Sequence, residues 1–195
     1  MFALVQDGSI TKYISGNRGI TIGDIQYPQN IFTLWSAAER EAIGIYEVVF
    51  ENSNKKDEAY YINTNQSFNF ADGVVTASYG SATAKELDDR NATNEAGEEL
   101  DPVVVIDGLK TKHKKIIKKQ ASGLLEPTDW YNHKALDDDT FTIPANITPY
   151  RANIRTRANE METAIDNASD VDALAALYVY KDGERPLGEF PILEI

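Results

Sequence analysis

At Leu109 the spacing of apolar residues changes, and the change limits the folds open to the chain. Before it, apolar residues come in short runs with strand character: Phe2-Ala3-Leu4-Val5, Ile10 to Ile14, Ile45 to Phe50 and Val74 to Tyr79. After it, Leu109, His113, Ile116, Ile117, Gln120, Ala121 and Leu124 recur at intervals of three and four, on one helical face. Successive side chains of a strand point to opposite sides, whereas a helix returns to the same side every 3.6 residues or so. A chain that uses the two periods one after the other, without interleaving them, reads as α+β with segregated layers.

Residues 1–83 are expected to form a small antiparallel β-rich domain. Asp7-Gly8 and Asp72-Gly73 mark hairpin turns. Ser36 and Glu39 fit a capping box, with a short helix that stops near Gly44. Residues 84–106 are rich in carboxylates (Glu86, Asp88, Asp89, Glu95, Glu98, Glu99) and poor in apolar periodicity, as expected of an acidic linker. Within it, Val103 to Ile106 is a short strand or a docked linker. Residues 107–178 read as a three-helix module. Thr148-Pro149 signals the start of a helix whose seam is Tyr150, Ile154, Ala158, Met161 and Ile165, and Ser169-Asp170 starts the last helix. Residues 179–195 read as an extended C-terminal arm whose Phe190, Ile192, Leu193 and Ile195 are unusually apolar for a free end. Such an arm suits an interface with a neighbouring subunit, or packing on its own β domain.

Composition narrows the function. The net charge is -12, and residues 1–108 carry seven Lys/Arg against seventeen Asp/Glu. A surface of that sign repels nucleic-acid phosphates and anionic lipid, so neither nucleic acid nor membrane is an expected partner. The helix from Leu109 carries six lysines. Its other face lacks aromatics, so a solvated face, or docking on the chain's own acidic half, is favoured over nucleic-acid binding. No apolar run approaches the length of a membrane span, and the first residues lack the basic start of a secretory signal. Cysteine is absent and there are two histidines, His113 and His133, which leaves little with which to build a metal site or a nucleophile-base pair. Asp137-Asp138-Asp139 lacks the spacing of a calcium loop. No G-x-S-x-G, P-loop, H-E-x-x-H or dinucleotide fingerprint occurs. No catalytic, cofactor-binding or metal residue is therefore assigned, and no enzyme activity or cofactor is expected.

The residues that stand out are Thr128, Asp129, Trp130 and Tyr131, with Arg151 and Arg155 one helical turn apart downstream. They suit a clasp. Thr128 caps a turn, one arginine reaches Asp129, the other stacks on Trp130, and Trp130 buries its ring against the helices. The plainer alternative leaves Trp130 in the core and both arginines in solvent.

The stretch Leu124-Leu125-x-x-Thr128-Asp129-Trp130-Tyr131, followed by Tyr150-Arg151-x-x-x-Arg155 and an Ala/Leu-rich last helix, resembles the C-terminal module of tailed-bacteriophage tail proteins of the tail-fibre assembly type. Tyr27-Pro28, Trp35-Ser36, Glu39 and Ala42 to Val49 are similar to the first domain of related phage proteins, including those of marine phages. Where common members continue after the tryptophan with Thr-Gln, this chain has Tyr131-Asn132. The resemblance implies a non-enzymatic virion protein of the tail (fibre-adaptor, tail or neck component), present in the host cytoplasm during assembly. Other phage structural proteins, and further copies of itself in a symmetric assembly, would be its partners. The alternative it implies is a tail-fibre assembly chaperone absent from the mature particle.

Overall fold

The computed structural model describes residues 1–193. The protein is α+β, and the chain divides into two compact units, Met1–Thr83 and the remainder from Ala84.

The first unit contains β1 (Phe2–Gln6), β2 (Ser9–Ile14), β3 (Ile20–Ile22), β4 (Ile25–Tyr27), α1 (Ile31–Leu34), α2 (Ala37–Glu41), β5 (Ile45–Glu51), β6 (Tyr61–Ile62), β7 (Ser67–Ala71) and β8 (Val74–Ser78). Five strands make one sheet in the order β2-β1-β5-β8-β7. Asp7-Gly8 and Asp72-Gly73 take positive φ at both positions, the geometry that joins twisted strands in the hairpins β1–β2 and β7–β8. The sheet is not wholly antiparallel as expected: β8 runs parallel to β5, with β7 antiparallel on its other side through the Asp72-Gly73 hairpin.

Alternation along the strands gives each face its own core. Leu4, Ile14 and Ile45 join Ile20, Ile31 and Phe32 on one side, and Ala3, Val5, Val48, Val75 and Ala77 lie together on the other. The Tyr13 and Phe68 rings, from the two edge strands, meet at 4.6 Å between centroids, so the sheet curls on itself. Ala3 and Ala77 are fully buried inside that curl, where small side chains permit close approach. The capping box at Ser36 and Glu39 starts α2. Its buried Arg40 then ties helix to sheet, donating to the Trp35 carbonyl, approaching Glu47 at 3.8 Å and lying 5.2 Å from the centroid of the Phe2 ring.

At the boundary β9 (Thr83–Ala84) pairs with β6. The second unit continues through β10 (Arg90–Asn91), β11 (Val105–Ile106), α3 (Leu109–Leu125), a 3-10 turn at Glu126–Thr128, α4 (Asp129–Asp137), α5 (Ile147–Asp166) and α6 (Val171–Ala176). α3 packs on α5. Lys114 meets Asp166 at 2.7 Å and Lys118 meets Glu162 at 3.3 Å, so the two helices are antiparallel. Ile117 and Ala121 of α3 are buried, as are Ile154, Ala158, Met161 and Ile165 of α5. The apolar stripe of α3 is narrower than its spacing predicts, since Ile116 and Gln120 are exposed.

Three expectations are corrected here. Residues 84–106 are no linker: they belong to the second unit and cap α3. Gly108 at the N-cap has no side chain to offer, and the free N–H groups of the first turn are taken up by that segment. Leu109 N donates to Glu86 O at 2.9 Å, Lys110 N to Leu87 O at 3.0 Å and Gly108 N to Asp89 Oδ1 at 2.7 Å. The Gly108 N–H and the Thr111 hydroxyl hold the Asp89 pKa below the usual carboxylate range. Next, the module has four helices, not three, because residues 129–137 form α4; α5 begins at Ile147 with Asn146 at its N-cap, ahead of the expected Thr148. Lastly, residues 179–189 are not an extended arm. Leu187 is buried and its N–H reaches Leu177 O at 3.0 Å. Arg157 of α5 donates to the carbonyls of Leu187 at 2.7 Å and Glu189 at 3.1 Å. Gly188, with φ of 72°, makes room for that guanidinium, which a Cβ would strike.

Leu187→Ala is therefore expected to lower the stability of the second unit by about 2–5 kcal/mol, the range for deleting a buried leucine side chain, as read by urea denaturation. A second prediction concerns pH. His113 of α3 is half-buried against the Tyr178 ring, 4.8 Å between centroids, and burial pushes its pKa below the ordinary value. The unfolded chain then binds the proton more readily. The stabilising contribution is complete above the unfolded pKa of about 6.5 and is lost as pH falls through it towards the lowered folded value. The thermal midpoint should drop from about pH 7.5 to about pH 5.5, and His113→Phe should flatten that drop.

Candidate interaction site

The site is built where α3 ends. Pro127 cannot continue the hydrogen-bond ladder, so the chain tightens into the 3-10 turn and leaves carbonyls of the last α3 turn without helical donors. Arg151 of α5 supplies the donors. Its Nη1 donates to Leu125 O at 2.9 Å and to Thr128 Oγ1 at 2.5 Å, and its Nη2 donates to Asp129 Oδ1 at 2.6 Å. The Thr128 hydroxyl donates in turn to Leu125 O at 2.7 Å, and Tyr150 OH reaches Leu124 O at 3.4 Å.

Arg151 is 8% exposed and Thr128 3%, so this is a buried cation satisfied by a carboxylate, a hydroxyl and a helix-end carbonyl. The planar, permanently charged guanidinium suits that task. Its positive charge also lies at the negative end of the α3 dipole. Thr128 does not cap α4 through its side chain, because the hydroxyl is directed back to α3.

Two parts of the expected clasp are corrected. Trp130 is not buried against the helices: it is 49% exposed. α4 starts at Asp129, and the residues turned to Arg151 are Thr128 and Asp129, which leaves Trp130 on the outer side of the corner. Its ring stacks on Tyr131 at 3.9 Å between centroids and stands 6.0 Å from Phe141, which also receives the Lys134 ammonium at 4.4 Å. Arg155 does not stack on Trp130 either. It is exposed, one turn along α5, and its Nη1 donates back to Arg151 O at 3.3 Å. Of the six residues picked out by the motif, buried Arg151 and Thr128 form a joint with half-exposed Asp129, Trp130 and Tyr131 form an aromatic face outside it, and Arg155 serves neither.

Leu136, 80% exposed on α4, enlarges the apolar surface of this helix. The signal for α4 was masked in the sequence by Asp137-Asp138-Asp139, which reads as loop. Asp138 makes a local turn, accepting from Thr140 N at 3.0 Å and Thr140 Oγ1 at 2.5 Å; these bonds lower its pKa.

Of the four residues assigned to an arm interface, three lie among the described residues. Phe190 is half-buried and lines, with Gln120, Gly123 and Leu124 of α3, a shallow cavity of about 370 Å³. Ile192 is exposed and Leu193 half-buried, while Ile195 lies outside the described residues. Among the described residues, no group of three or more His, Asp or Glu side chains is gathered as metal ligands would be. No helix among them is long and apolar enough to cross a membrane.

Arg151→Met should cost about 2–3 kcal/mol, because Thr128 and the Leu125 carbonyl lose their donor and Asp129 its counter-charge. Trp130→Ala should cost about 1 kcal/mol or less and Arg155→Ala about 0.5 kcal/mol or less, as expected of exposed positions. Chemical denaturation of the three variants checks that order, and a Trp130 effect as large as that of Arg151 would contradict it. Comparisons of the chain with protein-family models, with curated proteins and with solved structures found no match.

Proposed function

We propose that the chain is a noncatalytic component of a tailed-bacteriophage particle, in the tail, a fibre adaptor or the neck, and that it acts through protein–protein contacts. The phage setting rests on the resemblance of the Thr128-to-Arg155 and Tyr27-to-Val49 stretches. The observation that carries the mode of action is the placement of Trp130: a tryptophan half open to solvent, stacked on Tyr131, on a backbone that a buried guanidinium holds in place. Large aromatics with little freedom left to lose are the residues that dominate binding energy at protein interfaces. A joint that fixes the backbone while leaving the rings outside serves contact with another chain better than it serves the unit's own core.

Quantitative mass spectrometry on purified particles tests this. The chain is expected at a fixed ratio to the capsid protein, and Trp130→Ala should lower its incorporation while leaving its denaturation midpoint nearly unchanged. Abundance in infected-cell lysate with absence from particles would replace the structural role with that of an assembly chaperone. Normal incorporation of the Trp130 variant would remove the aromatic corner as the contact.

A further inference from the structure

The Val103-Val104-Val105-Ile106 run is unaccounted for by either unit's core. In the structure its second half is the outer strand of a hairpin: β11 pairs antiparallel with β10 through Arg90–Ile106 and Asn91–Val105, Ala92 N donates to Val104 O at 2.7 Å, and Thr93 bridges to Glu99 nearer the turn. Among the described residues that sheet has two strands only, so β11 keeps one edge unpaired. The four side chains are 57%, 49%, 56% and 39% exposed, on both faces of the strand. An isolated two-stranded ribbon is marginal in water, and an apolar edge of this kind normally carries a charge or a cover.

The ribbon is nevertheless held in place. Its end is tied to the start of α3 by the Gly108 N–H on Asp89 and by the ion pair of Asp107 with Lys115. A fixed, apolar, unpaired edge is what an added strand requires, with main-chain bonds giving affinity and alternate side chains giving selectivity.

We infer that β11 is a docking edge for an extended segment of a partner protein, apolar at its centre and flanked by lysine or arginine. Charge selects the occupant. Residues 84–107 carry eight carboxylates against two cations; Asp88 and Asp107 are met by Lys110 and Lys115 of α3, and the other six still outnumber Lys85 and Arg90, so a strand with basic flanks is attracted, most strongly at the Glu95–Asp101 end. A second copy of β11 is disfavoured by the same charges. Antiparallel pairing about Val104 sets Asp101 of one copy against Asp107 of the other, at both ends of the ribbon. The inference rests on the protein-contact function proposed above but concerns a different surface from Trp130. Its test needs no particle, so either can fail alone.

The test uses the full chain and two synthetic nine-residue peptides, Lys-Lys-Val-Thr-Val-Thr-Val-Lys-Lys and its counterpart with glutamate in place of lysine, followed by hydrogen exchange and fluorescence anisotropy. Alone, the chain should exchange the Val105 amide freely, since the antiparallel register turns it away from β10. The basic peptide should slow that exchange and bind about tenfold or more tightly than the acidic one, the margin that two or three exposed ion pairs supply, and it should weaken with added salt. Val105→Lys should remove that preference without moving the denaturation midpoint, since the side chain is exposed. Equal binding of the two peptides, no binding of either, or protection of the Val105 amide without any peptide would overturn the inference. Concentration-dependent self-association abolished by Val105→Lys would also overturn it, by assigning the edge to a second copy.

Discussion

The second unit depends on the Arg151 guanidinium. α3 and α5 lie antiparallel, and at the end where α3 stops the chain must reverse through Pro127 and begin α4 at once. That reversal leaves helix-end carbonyls without helical donors in a part-buried site. One planar cation answers the Leu125 carbonyl, the Thr128 hydroxyl and the Asp129 carboxylate together. Burial makes the arrangement obligatory, because a charge taken from water without these partners would be strongly unfavourable. A lysine would carry the charge without the fork, and so could not meet three acceptors in fixed directions.

A second electrostatic arrangement explains why a helix with six lysines sits in an acidic protein. Lys110 meets Asp88 at 3.1 Å, Lys115 pairs with Asp107, and Lys114 and Lys118 meet Asp166 and Glu162 of α5. Two of these carboxylates come from the segment before α3 and two from the helix packed beside it. Each pair is exposed enough to contribute little alone. Together they set the register of α3 on α5 and hold the acidic segment against the helix start, where its carbonyls and Asp89 meet the unpaired N–H groups.

Local signals explain what was legible before the structure. The capping box at Ser36, the two Asp-Gly hairpins and the Ile154-to-Ile165 seam are each specified by residues within a turn or two of one another, and the fold follows them. Two of the misses are cases where the partner is far away in sequence. The 84–106 segment lacks apolar periodicity because its task is to cap α3 with backbone, which composition does not reveal. The turn at Leu187 is held by Arg157, thirty residues earlier, through carbonyls that any residue would offer. Trp130 was misplaced for a different reason: a large ring predicts burial on average, but its side is decided by where α4 starts, and that start is set by the Arg151 bonds. The same bonds use one member of the Arg151/Arg155 pair, so helical spacing alone could not tell the two apart.

The molecule's two least explained apolar surfaces share one physical design. Trp130 and Tyr131 stand on a corner fixed by a buried cation, and Val103 to Ile106 stand on a ribbon whose end is fixed by the start of α3. In each case a polar or charged side chain bonds the backbone, Arg151 to the Leu125 carbonyl and Asp89 to the Gly108 N–H, while the apolar side chains stand exposed. A protein that only had to fold would gain from the reverse, with the aromatic and β-branched residues buried and the charges solvated. Ordering the backbone beforehand removes much of the entropy that a flexible surface would lose on contact. Surfaces held this way reward a partner that fits and give little to nonspecific collapse, which a net charge of -12 also opposes.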